Sequence, residues 1–150
     1  TLTHQDLTKL DKDTVYNGVF LDKQNLERMF GCQITGMAYP YGTYNDEVVQ
    51  ILKKCKIQYA RSVVSSGAFK LQKNLLIFKP TCHHADENIW ELLEKFLKEK
   101  SEEKQLFYIW GHSYEFDVNN NWKRMEEILD RLIGHNNIFY GTNREVLLPC

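Results

Sequence analysis

Short apolar runs alternating with amphipathic helical stretches constrain this chain more than any other feature, because that order leaves few folds open. Asp11 or Asp13 can cap a helix whose apolar positions Val15, Val19, Leu26, Met29 and Phe30 recur at three-to-four spacing, with Gly31 as its stop. Met37 to Tyr39 reads as a short buried strand ended by Pro40 and Gly42. Asp46 opens a second helix through Val48, Val49, Ile51 and Leu52, and Ile57 to Val63 follows as a strand. Leu75 to Phe78 is a further apolar strand leading into Pro80-Thr81 and then Cys82-His83-His84. A third helix spans Asp86 to Lys100, Leu106 to Trp110 forms a continuous apolar strand, Asn121 to Ile133 a fourth helix, and Ile138 to Tyr140 a last strand. Such alternation predicts a parallel sheet of βα units, in which loops at the carboxyl ends of the strands carry function. The Tyr41-Gly42 turn, the loop after Val63, His83-His84 and His112 all follow predicted strands, and one rim is expected to hold them.

Length and charge narrow the function classes. With 150 residues, 43% hydrophobic, the chain is expected to form a single domain over 1–150 that buries about two-thirds of its unfolded surface. A net charge of −1 leaves no electrostatic footprint for nucleic acid. Runs such as Leu75-Leu76-Ile77-Phe78 are too short to span a bilayer. The four cysteines, Cys32, Cys55, Cys82 and Cys150, are widely spaced and read as reduced structural thiols, which suits a reducing compartment.

The segment Met37-Ala38-Tyr39-Pro40-Tyr41-Gly42-Thr43-Tyr44-Asn45-Asp46 says most about function. It is an apolar strand, a Pro-Tyr-Gly turn and an Asn-Asp helix start. Together with the opening Thr1-Leu2-Thr3-His4 and the late Ile109-Trp110-Gly111-His112, it resembles the polysaccharide deacetylases of carbohydrate esterase family 4, the NodB homology domain. Thr1 to His4 then looks like the second half of the metal motif His-Thr-x-Thr-His, so the chain is expected to begin inside its own active site. The resemblance implies an irregular (β/α) barrel, incomplete at the amino-terminal end, and hydrolysis of N-acetyl groups on an amino-sugar polysaccharide or oligosaccharide. That family is often secreted or at the cell surface, against the lean of the cysteines. Open sheet edges left by missing strands predict self-association, or else a gap covered by a rearranged terminus such as Val146 to Leu148.

Amide hydrolysis needs a Lewis acid on the carbonyl, an activated water and an acid for the departing amine. By resemblance, His4 is a ligand of a divalent metal, zinc by preference, and His112 is the acid. The resemblance also implies two aspartates and a first histidine that no matching position supplies, so the fragment alone is expected to be inactive and to bind metal poorly. Read without its neighbours, His4 is an ordinary surface histidine and His112 a structural one at a strand end. The family arginine two residues before the motif proline is replaced by Ala38, and Arg61 on the next strand is a substitute that calls for a carboxylate partner, or else reaches solvent from an edge strand.

The fourth family motif is not recognisable. Thr81-Cys82-His83-His84-x-Asp86 stands in its place, with His83 as a substrate contact, at most one of the two histidines facing the site, and Asp86 a helix cap. Alone, this spacing is too local and incomplete for a zinc site. Trp110, with Tyr108 and Tyr114, offers an apolar wall for an acetyl methyl or a sugar face, although aromatic residues beside a strand are more often core. Tyr41 and Gly42 offer a turn whose amide can meet an oxyanion, or merely a tight turn. Glu115 and Asp117 read as loop structure, Asn119-Asn120-Asn121 as a helix cap and Thr142-Asn143-Arg144-Glu145 as a strand-exit turn. The competing function is a non-catalytic carbohydrate-binding or structural relative of the barrel. Ala38 and the missing fourth motif favour that rival, His4 and His112 the enzyme.

Overall fold

Asp11 does start the first helix. In the computed structural model, which describes residues 1–148, its carboxylate accepts from the Thr14 amide at 2.9 Å, and α1 runs Lys12–Phe30. Gly31 closes it in the left-handed conformation, donating to the Glu27 carbonyl at 2.9 Å. Asn45 caps α2 (Asp46–Lys54) in the same way, through the Val48 amide. Helices α3 (Ile89–Lys98), α4 (Ser113–Val118), α5 (Trp122–Leu132) and α6 (Asn143–Leu147) complete the set. No helix among the described residues is long and apolar enough to cross a membrane.

The strands are shorter than the apolar runs that foretold them. β1 (Gly36–Ala38) pairs in parallel with β2 (Tyr59–Arg61), and β3 (Cys82–His83) in parallel with β4 (Ile109–Trp110). Two small parallel sheets result, and no closed barrel forms among the described residues. Leu75 to Phe78 is a correction: Asn74 accepts from the Leu76 amide and turns Leu75–Ile77 into a 3-10 segment. Only Phe78 still reaches the sheet, as a parallel bridge to Arg61. Ile138 to Tyr140 forms no strand either. Thr142 and Glu145, expected in a strand-exit turn, instead make a reciprocal capping box that starts α6.

The chain divides into two compact units: Thr1–Val63 with Gln72–Lys79 and the segment from Gly141, and Val64–Leu71 with Pro80–Tyr140. The first unit packs Val15 and Val19 of α1 and Val48, Ile51 and Leu52 of α2 with Ala60 of β2 and Leu76. Its buried Tyr39 donates from the ring hydroxyl to the Leu76 carbonyl at 2.7 Å, so the polar end of a core side chain is satisfied. The second unit packs Cys82 on β3 with Ile89 and Leu93 of α3 and Ile128 of α5, all fully buried. Cys32, Cys55 and Cys82 are free thiols, and burial pushes the last up to about 12, where no thiolate forms near neutral pH. Cys150 lies outside the described residues.

Candidate functional site

Two groups of the expected residues assemble, one in each unit. In the first, Pro40 and the two residues after it form a single turn, with Tyr41 at φ 56° and Gly42 at φ 73°. Left-handed backbone is uncommon for a bulky residue and marks a place where the surroundings over-determine the chain. Gly42 is required twice over, since a Cβ there would stand 2.4 Å from a Val63 methyl. The Tyr41 ring, exposed, meets the exposed His4 ring edge-on with centroids 4.9 Å apart. Asp6 ties the two segments together: one carboxylate oxygen accepts from the Thr8 amide and hydroxyl and from the Thr43 hydroxyl at 2.7 Å. Those donors, Thr43 foremost, hold its carboxyl down to about 2.

One expected role shifts here. The Gly42 amide donates to the Tyr39 carbonyl at 2.9 Å and is engaged in the turn itself. Arg61, half-buried on β2, is the register partner of Ala38 on β1, and its guanidinium donates to the Ser62 carbonyl at 3.0 Å. The arginine therefore stands in the sheet directly beside the position where the resembling motif would carry one.

In the second unit the chemistry centres on a residue read from sequence as loop. Glu115 lies on α4, where its carboxylate reaches back to the amide of His112 at 3.0 Å. The same oxygen receives the Nε2 of His84 at 2.7 Å and of His83 at 3.1 Å, while its other oxygen lies 3.2 Å from His112 Nδ1. The amide of His112, the chief cause, and the imidazoles hold the Glu115 carboxyl at about 2. The loop reading of Glu115 and the expectation of a single inward histidine fail for two physical reasons. Glu115 belongs to a helix and not an extended loop, and His84 sits in the turn after β3, so both neighbouring rings converge on one carboxylate. The signal available was the spacing His112-x-x-Glu115, the distance at which an N3 glutamate folds back on an N-cap amide.

The backbone is arranged to admit this cluster. His84 is 2% exposed and packs on Phe116 at 4.3 Å, and Gly111 leaves the space for its ring. A Cβ on Gly111 would lie 1.9 Å from His84 Cδ2. Gly111→Ala is expected to destabilise the fold by about 1–3 kcal/mol, as overpacking against a buried ring does; equal urea midpoints for the two proteins would refute it. Arg124 on α5 holds the loop from behind, donating to the carbonyls of His84 at 3.2 Å and Asp86 at 2.7 Å. Asp86 accepts from the Asn88 amide in the turn before α3, but the N-cap position itself is Asn88, so the cap expected at Asp86 is not the one the helix uses. His83 meets the Trp110 ring at 4.5 Å, and the Ala85 amide donates to its Nδ1 at 3.1 Å, which leaves the ring proton on Nε2. Burial, then the neighbouring His84, pushes His83 below the ordinary histidine range, so it is neutral near pH 7.

The pH consequence has a definite sign. The Glu115 carboxyl binds its proton at lower pH in the folded chain than its ordinary value of 4.5, so its contribution to stability is full above 4.5. It is lost as pH falls from there towards about 2. Glu115→Gln is expected to flatten that acid limb of the stability curve, and parallel curves for both proteins would contradict the assignment.

Among the described residues, His83, His84 and Glu115 are the group of three side chains able to share a cation, with ligand atoms within 4.8 Å of one another. His4 is in no such group, so it does not by itself fit the metal its motif implies.

Residues 1–60 match the model of the family described as Polysaccharide deacetylase. No curated protein matches the chain. Among solved structures, a Streptococcus pyogenes deacetylase, PplD in complex with acetate, aligns with 24% identity over 41% of this chain, at a TM-score of 0.41. The alignment spans 27% of that chain's length. The matched segment holds His4, the Pro-Tyr-Gly turn and the helices α1 and α2, and it is this part of the chain that is similar to the polysaccharide deacetylase family.

Proposed function

We propose that this chain serves a hydrolase that removes N-acetyl groups from an amino-sugar polysaccharide or oligosaccharide. The carrying observation is that the family-matched segment brings His4 against the Tyr41 turn. An irregular (β/α) barrel belongs to the same reading. Its divalent metal, zinc by preference, supplies the Lewis acid for the amide carbonyl when bound. Because His4 stands alone among the described ligands, the chain by itself is expected to release little acetate.

The other roles fall to residues whose geometry suits them. His112, at the start of α4, presents a half-exposed ring whose Nδ1 faces Glu115, which leaves Nε2 to hand a proton to the departing amine. The Tyr41 amide takes the oxyanion role, since the Gly42 amide is spent in the turn. Arg61 orients a carboxylate in place of the arginine absent at Ala38. Trp110 and His83 offer ring faces to the sugar.

The second reading, a carbohydrate-binding relative without catalysis, is favoured by Ala38 and by the missing fourth motif. Acetate release from N-acetylglucosamine oligomers separates the two, measured on the protein that carries this chain. Saccharide binding with no acetate released supports the binding relative and overturns the enzyme.

A further inference from the structure

We infer that His83, His84 and Glu115 form a binding site for a divalent transition-metal ion, held wholly within the second unit. The donor set is two imidazole nitrogens and one carboxylate oxygen, which suits zinc, nickel or cobalt and disfavours magnesium or calcium. Zinc stands about 2.0–2.2 Å from such ligands, so tetrahedral neighbours lie about 3.3–3.5 Å apart. Here His84 Nε2 and His83 Nε2 already stand 2.7 and 3.1 Å from the same Glu115 oxygen. Seating an ion lengthens these two separations by about 0.2–0.8 Å, and all three ligand atoms already lie within 4.8 Å of one another. Three protein ligands leave a fourth position for water or another ligand.

The supporting shell is half built. His112 Nδ1 lies 3.2 Å from the second Glu115 oxygen, and Arg124 fixes the His84 carbonyl, so two of the three ligands are oriented from outside the cluster. On binding, each imidazole moves its ring proton from Nε2 to Nδ1 and gives the Nε2 lone pair to the ion. For His83 that breaks the bond from the Ala85 amide, because both atoms would then be donors. For His84 the proton arrives on an Nδ1 that is buried with no hydrogen-bond partner. Lack of that partner places the site about 10- to 100-fold below a fully supported zinc centre in affinity.

The test uses the 150-residue chain, zinc chloride and cobalt chloride, and does not involve acetate release. Calorimetry is expected to show one zinc per chain, no response to magnesium, and a tetrahedral cobalt absorption band. His83→Ala, on a ring 24% exposed, and Glu115→Gln are each expected to weaken zinc tenfold or more, and His4→Ala to leave it unchanged. Loss on His4→Ala with retention in the other two would assign the ion to the His4 motif and overturn this site. A wild-type chain that is folded yet binds no zinc at about 1 mM overturns it as well. Should both variants unfold, the wild type decides alone: the Ala85 amide resonance shifts on zinc addition if the site is right, and stays in place if it is wrong. Since hydrolysis is measured separately, the failure of either idea leaves the other standing.

Discussion

In any form of the protein active enough for acetate release from N-acetylglucosamine oligomers to be measured, replacing His112 by alanine is expected to lower that release by about 10²- to 10⁴-fold, the usual contribution of a positioned proton donor. The loss should fall on kcat with KM little changed, because the ring acts on a leaving amine that exists only beyond the ground state. A purely structural His112 would behave otherwise, raising KM or lowering the amount of folded protein while sparing kcat. Glu115→Gln is the informative partner. It keeps the size of the side chain and an acceptor for the His112 amide, but removes the charge facing Nδ1 at 3.2 Å. A displaced pH profile in that variant, with His112 intact, would tie the carboxylate to the proton donor. A kcat within a few-fold of wild type in His112→Ala would sink the role given to this histidine.

Which parts of this were legible in sequence follows from the range of the interactions involved. Asp11, Gly31, Asn45 and Asp46 act within a turn of their own position, and the helices they bound are found where the caps place them. The strands depend on partners far along the chain, and apolar runs overstate them: Leu106 to Trp110 reads as one strand, yet only Ile109 and Trp110 pair. At Leu75–Ile77 a local Asn74 cap outweighs the strand pattern. His4, Tyr41, Gly42, His83, Trp110 and His112 could be singled out because short motifs carry them. Glu115 could not, since its importance lies in four groups from His83, His84 and His112 that only the fold assembles around it. The expectation that at most one of the two histidines faces a site fails because His84 lies in a turn, where neighbouring side chains need not diverge. The register pairing of Ala38 with Arg61 likewise belongs to the sheet and not to either segment alone.

The cluster's dependence on its own core gives the largest stability effect expected. Ile128 on α5 is fully buried against Cys82, Ile89 and Leu93, and Cys82 is the residue before His83 on β3. Ile128→Ala removes three methyl or methylene carbons from a packed site and is expected to cost about 2–5 kcal/mol in unfolding free energy. Leu129, the next residue on the same helix, is 52% exposed, and Leu129→Ala should change stability by about 0.5 kcal/mol or less. The pair shares a helix, and helix propensity separates Leu from Ile by well under about 0.7 kcal/mol, so a difference of about 2 kcal/mol or more between the variants reports burial and not an effect on α5 itself. Urea unfolding followed by far-ultraviolet circular dichroism measures both. Equal losses in the two variants would mean that α5 does not pack as described, and that the scaffold placing His83 and His84 rests on something other than this core. A large loss confined to Ile128→Ala ties the geometry around Glu115 to three apolar side chains that touch no substrate and no metal.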